Sequence, residues 1–131
     1  MLVVGLACAV LVVATPAIHY EVLHALSAFL PALRIPSRGK LLVVILGAFL
    51  AHAVEILLYA VAVYVLGNFP FNVALYFSAE TYTSLGYGDV VPTGDLRLVA
   101  GVEALNGLLL IGWSASYTYI AMDRFWRERS K

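Results

Sequence analysis

Charge is scarce in this sequence and cysteine is nearly absent, and both shortages narrow what the chain can be. Asp, Glu, Lys and Arg make up 12% of its 131 residues, where soluble domains carry about 25%. With 63% hydrophobic residues and a mean hydropathy of +0.93, a water-soluble fold would leave a large apolar area exposed. The bilayer is therefore the expected solvent. The single cysteine, Cys8, sits inside an apolar run and has no partner for a bridge within the chain. His19, His24 and His52 fall into no familiar metal-ligand spacing, and His19 and His24, five apart, point to different faces of a helix. There is no N-x-Ser/Thr acceptor, no nucleophile–base pair and no phosphate-cradling loop ending in Lys-Ser/Thr, so neither an enzyme nor a nucleotide-binding loop is expected. The first apolar stretch lacks an arginine at every third position, which argues against a voltage sensor. The length gives no support to the inverted repeats of a secondary transporter.

The few basic residues are unevenly placed. Arg34, Arg38 and Lys40 share one connector, and Arg124, Arg127, Arg129 and Lys131 form a tail, leaving only Arg97 elsewhere. Under the positive-inside rule both clusters belong on the cytoplasmic side. Neither is large or attached to a soluble fold, so no nucleic-acid partner is expected. The five residues after Trp126 hold no soluble regulatory domain.

Three apolar stretches are present. The first, within 1–33, has no basic n-region and does not resemble a cleaved signal; basic residues follow it, which favours an uncleaved anchor with its N-terminus outside. Pro16 is expected to kink it or split it into two helices. His19, Tyr20, Glu21 and His24 interrupt the pattern beyond that point, so this helix either spans the membrane or lies at its interface. It is expected to pack around the outside of an assembly, touching neighbouring copies through its polar half. The second stretch, 41–66, is long enough to cross a hydrocarbon core of about 30 Å. The third, 96–122, leads into the tail at 123–131, with Trp126 as an interfacial anchor. Since the basic clusters share one side, the connector between the second and third stretches lies on the other.

That connector carries the chemistry. Residues 72–83 read as a short helix with Asn72 as its N-cap. It is too short to span a bilayer and too apolar for water, so it is expected to re-enter the membrane buried within protein. Glycines then alternate at Gly86 and Gly88. Such residues tolerate positive φ and let successive carbonyls of an extended segment point to one side. Four copies about an axis would stack rings of carbonyl dipoles able to replace the water shell of a cation.

The run Thr81-Tyr82-Thr83-Ser84-Leu85-Gly86-Tyr87-Gly88-Asp89 resembles the potassium-channel signature, whose commonest core is Thr-Val-Gly-Tyr-Gly. Tyr76 and Phe77 sit where that family carries an aromatic pair, Pro92 follows the aspartate at the usual distance, and Gly107 falls near its inner-helix hinge glycine. The resemblance covers about residues 41–122 and leaves out the first stretch. It implies an all-α membrane protein: outer helix 41–66, re-entrant pore helix 72–83, selectivity filter 84–88 and inner helix 96–122, with an additional N-terminal transmembrane or interfacial helix. It also implies a homotetramer in lipid, in the bacterial inner (plasma) membrane with a cytoplasmic C-terminus, conducting K+ and needing no cofactor.

By this resemblance, the K+ ligands are the carbonyls of Ser84, Leu85, Gly86 and Tyr87, with the Ser84 hydroxyl at the cytoplasmic end; Gly88 completes the filter. Serine replaces the usual threonine at 84 and leucine the usual valine at 85, and neither change removes an oxygen ligand. Thr81, Thr83, Tyr76 and Phe77 support the filter, and Tyr87, Tyr76, Phe77 and Tyr82 are expected to form an aromatic layer around it. Glu80 and Asp89 match a carboxyl pair found behind the filter in some bacterial members and are expected to share a proton. The alternative leaves Asp89 exposed at the outer mouth. Glu103 and Asn106 share one face of the last helix, either bonding structurally near the pore helix or lining the ion path. His52 and Glu55 likewise share a face, for a helix–helix hydrogen bond or for proton sensing. Gly107 and Gly112 serve either as a gating bend or as close-packing positions. Ser114 and Ser116 are candidates for a cavity or a bundle crossing. Two other functions fit the sequence: a poorly selective cation channel and a non-conducting membrane partner of other channels.

Overall fold

The computed structural model describes residues 1–129. It contains four α-helices and no strand among those residues: α1 (Leu2–Phe29) with a 3-10 turn at Leu30–Ala32, α2 (Ser37–Gly67), α3 (Phe71–Tyr82) and α4 (Leu96–Arg129). The spans Leu2–Ala32, Ser37–Gly67 and Leu96–Arg127 are long and apolar enough to cross a membrane. At about 1.5 Å per residue, α3 reaches only about 18 Å and cannot. The all-helical expectation therefore holds, with three candidate spans and one short helix between the second and third.

Several boundaries differ from those expected. Proline does not split α1, which runs as one helix through Pro16. The missing amide costs one backbone bond, while Thr15 beside it returns its hydroxyl to the Leu11 carbonyl at 2.8 Å. The second helix starts at Ser37, directly after Pro36, whose extended ψ of 154° sets up the first turn. It ends where Asn68 turns left-handed (φ 54°, ψ 25°) ahead of Pro70. Asn72 is not the N-cap of α3. Pro70 holds that position, its carbonyl taking the amides of Val73 and Ala74 at 3.0 and 2.9 Å, and Asn72 falls inside the first turn. The last helix continues past 122, because nothing from Asp123 onward breaks it and Arg127 pairs with Asp123 at 2.9 Å. Of the basic tail, Lys131 and the Arg129 side chain lie outside the described residues.

The first helix is part of the chain's own bundle, packed against both α2 and α4, rather than a helix held only by neighbouring copies. At one end, Val4, Cys8 and Leu11 of α1 join Tyr59 and Val63 of α2, Phe77 of α3 and Val99 of α4 in an apolar cluster. At the other, Leu30, Val44, Ala121 and Phe125 form a second. The Met1 amine pairs with Asp95 at the first end, while Lys40 lies 6.0 Å over the Phe125 ring at the second. So the chain's start and the α3–α4 connector share one end of the bundle, and the basic connector and the end of α4 share the opposite one. Large side chains such as Leu6, Phe49, Leu50, Leu108 and Leu109 point outward, as suits a lipid-facing wall.

Between α3 and α4 the helices touch backbone to backbone. A Cβ on Gly107 would lie 2.1 Å from the Tyr82 carbonyl oxygen, whereas one on Gly112 would meet nothing within 4 Å. Gly107 is thus a close-packing position, and its neighbour is backbone that cannot step aside. Gly107→Ala is expected to lower the unfolding free energy by about 1–3 kcal/mol. Gly112→Ala should change it by less than about 0.5 kcal/mol. Thermal unfolding of the detergent-solubilised protein checks both.

Candidate functional site

The end of α3 and the loop after it bring together most of the residues singled out in the sequence. Thr83 closes the helix, its amide and its hydroxyl both donating to the Ala79 carbonyl, the hydroxyl at 2.7 Å. The chain then curls back on itself. Ser84 donates its amide to the Thr81 carbonyl at 3.0 Å, and the amides of Leu85 and Gly86 both reach the Glu80 carbonyl, at 2.8 and 3.2 Å. The next donor, the Tyr87 amide, lies 3.2 Å from the Glu80 carboxylate. Four successive amides therefore face the helix end, two of them on a single carbonyl oxygen.

The backbone alternates as the glycine spacing predicted. Positive φ occurs at Ser84 (59°), Gly86 (54°) and Gly88 (79°) but not at Leu85 or Tyr87. At Gly86 and Gly88 this costs nothing; at Ser84 the side chain adds about 1–2 kcal/mol. Residues 83–89 are all exposed, with Leu85 at 54% and Tyr87 at 71%.

The supporting residues divide in two. Phe77 and Tyr82 are buried in the bundle, whereas Tyr76 and Tyr87 are exposed on the single chain. Glu80 and Asp89 are not hydrogen-bonded to each other. Glu80, 3% exposed, serves the Tyr87 amide, and Asp89 accepts from the Tyr76 hydroxyl at 3.0 Å. In the single chain each carboxyl group thus braces a different partner, the Tyr87 amide for Glu80 and the Tyr76 hydroxyl for Asp89. Thr81 is half-buried beside them.

Behind this loop, Asn106 of α4 donates to the Tyr59 hydroxyl at 3.0 Å and to Thr15, tying α4 to α2 and α1. Glu103 and Ser78 of α3 are both fully buried, with the Ser78 hydroxyl beside the Glu103 carboxyl group. Ser114 is buried, whereas Ser116 is exposed and bonds back to the Gly112 carbonyl at 3.0 Å. His52 and Glu55 bond each other within α2 at 3.1 Å, and the bonds from this face to other helices belong to a larger cluster that spacing along the chain did not reveal. His19 Nδ1 lies 2.9 Å from Glu55 Oε1, and the Tyr82 hydroxyl donates to Glu55 Oε2. The one signal of it in the sequence is the presence of ionisable side chains inside apolar runs, which in membranes face protein or water rather than lipid.

A short helix that enters between two candidate spans and returns through a loop with exposed backbone defines a membrane protein of the pore-forming class. A family model described as ion channel matches residues 51–124, more than half of the chain, and the chain belongs to that family. The family is a non-enzymatic one, and its members sit in lipid. No curated protein and no solved structure matches the chain. The matched region starts inside α2 and takes in α3, the loop and nearly all of α4, leaving α1 outside it.

Because Glu80 accepts the Tyr87 amide, its two obvious substitutions should behave differently. Glu80→Gln keeps an acceptor oxygen and should leave amide hydrogen exchange at Tyr87 within about threefold of the native rate. Glu80→Ala leaves that donor unpaired, at a cost of about 1–3 kcal/mol, and should raise exchange there about tenfold or more.

Proposed function

We propose that this channel subunit assembles as a homotetramer around one central pore and conducts potassium ions selectively, with residues 84–88 as the filter. In this reading the ions pass through rings of backbone carbonyls from Ser84, Leu85, Gly86 and Tyr87, stripped of water and held by oxygen dipoles. The observation that carries it is the alternation of positive φ at Ser84, Gly86 and Gly88 while the amides of 84–87 are engaged by the end of α3. With the donors turned toward the helix, the acceptors are left for a cation.

Charge supports the same direction. The C-terminal end of α3, at Tyr82 and Thr83, carries the negative pole of its helix dipole and stands next to the first proposed ligand. One loop per chain cannot enclose an ion. A closed fourfold ring supplies the remaining walls, and the exposure of Leu85 and Tyr87 leaves surface for neighbouring copies to cover. The basic connector and the end of α4 would lie in the cytoplasm and the loop outside, in a bacterial inner membrane.

Purified protein in liposomes should pass potassium down its gradient, and under mixed potassium and sodium gradients the reversal potential should follow potassium. A potential that tracks both ions equally would defeat selectivity, and silent but well-incorporated protein would defeat conduction. Cross-linking in mild detergent should give a ladder ending at four chains. Gly86→Ala puts a side chain at φ 54°, and a cost of about 1–2 kcal/mol per chain predicts potassium flux lower by about tenfold or more.

A further inference from the structure

We propose that His19, His52 and Glu55, with Tyr82 as fourth donor, form a binding site for one divalent transition-metal ion per chain, Zn2+ by its ligand chemistry. The inference goes beyond ion conduction and does not depend on which ion the pore passes.

Four helices contribute to this cluster. His19 comes from α1, His52 and Glu55 from α2, Tyr82 from the end of α3, and Ser114 from α4. Both imidazoles present Nδ1 to the same carboxylate, His19 to Oε1 at 2.9 Å and His52 to Oε2 at 3.1 Å. The Tyr82 hydroxyl lies 2.9 Å from His52 Nδ1 and contacts Glu55 Oε2 as well. On the far side of the rings both Nε2 atoms converge on Ser114 Oγ, at 3.1 and 3.0 Å. One donor atom each from His19, His52 and Glu55 all lie within 4.8 Å of one another.

With both imidazoles neutral, the hydrogens do not add up. Two neutral imidazoles, one serine and one tyrosine bring one hydrogen each, while the cluster contains six close contacts between polar atoms. Some of those contacts must therefore set lone pair against lone pair. An ion on the Nδ1 side resolves the conflict, because both ring lone pairs and the carboxylate then point at positive charge. Each ring carries its hydrogen on Nε2, and the two lone pairs of Ser114 Oγ accept both. Such outer hydrogen bonds are what orient metal-binding histidines.

The spacing agrees. The two ring centroids are 5.1 Å apart, and two imidazoles on one tetrahedral ion at about 2.0–2.1 Å would stand about 5 Å apart. Three donor separations, His19–Glu55, His52–Glu55 and His52–Tyr82, are 2.9–3.1 Å against a tetrahedral edge of about 3.3 Å, and the His19, His52 and Glu55 donors, within 4.8 Å of one another as a set, close up on the ion. Two nitrogens with carboxylate and phenol oxygens in a closed site suit Zn2+ better than Mg2+ or Ca2+, which take mainly oxygen. His52, the member nearest the surface at 18% exposure, offers the way in.

The full-length protein in detergent is loaded with Zn2+, stripped of loose ion on chelating resin and assayed for zinc by mass spectrometry. About one zinc per chain is expected to remain. His19→Gln and His52→Gln should retain at least tenfold less, and Ser114→Ala should weaken affinity about 10–100-fold. His24→Gln, at an exposed position on α1, should retain the native amount. Wild type holding no more zinc than the His19→Gln/His52→Gln double variant would overturn the site, and so would equal loss in His24→Gln. Should the variants fold poorly, Co2+ added to wild type decides. The intense visible bands of a tetrahedral ion support the site, and a weak octahedral spectrum or none means that the cluster holds protons instead.

Discussion

Glu55 is the point at which all four helices meet. In a bilayer, helices gain little by burying apolar side chains against one another, since lipid tails are equally apolar. What aligns them is packing and the need to give every buried polar atom a partner. Glu55 is fully buried and is reached by His19 from α1, His52 from α2 and Tyr82 from the end of α3. Ser114 then closes the group from α4 through both histidines. Removing the carboxylate would leave several buried groups unpaired together, so the helices have one register in which the group is satisfied. Asn106, bonded to Tyr59 and Thr15, fixes the same three long helices a second time.

From that centre the position of the loop follows. Tyr82 is the last residue of α3; its hydroxyl is tied to Glu55 and His52, while its carbonyl lies against Gly107 of α4. The end of α3 is thus held from two sides, and the loop starts from a fixed point. Glu80, two residues earlier, holds that loop with its backbone carbonyl and its carboxylate together. A chain of this kind needs no long-range contact to shape residues 84–87, because the helix end supplies the acceptors.

How much of this could be read beforehand depends on whether a signal was local. The three long helices were legible because an apolar run of that length has few other uses. The alternation at residues 84–88 was legible because glycine at every second position is a statement about φ. Helix ends were read less well: at α3 the Asn72 side chain suggests the N-cap, whereas Pro70 holds that position because its extended ψ presents its carbonyl to the first turn. Pro16 is expected to kink the first helix or split it, and it does not split it, since one lost amide bond is a small deficit in a long apolar helix packed on two neighbours. Least legible was the cluster at Glu55. The half seen in advance, His52 with Glu55, is three residues apart on one helix, whereas His19 is 36 residues away and meets Glu55 only because α1 crosses α2 there.

The first helix is the part that the family match leaves out, and the polar contacts show why it cannot be treated as an accessory. Two of the side chains that α1 buries are polar, Thr15 and His19, and each is joined to a residue inside the matched region, Asn106 and Glu55. A helix held only by apolar contacts could rotate in lipid at little cost. One held by a buried histidine and a buried threonine, four residues apart on one face, has its rotation and depth set together. Since Glu55 also holds Tyr82, a shift of α1 would be felt at the end of α3 through two bonds, His19 to Glu55 and Glu55 to Tyr82. The added helix is therefore joined, through Glu55 and Tyr82, to the start of the loop proposed to carry the ion.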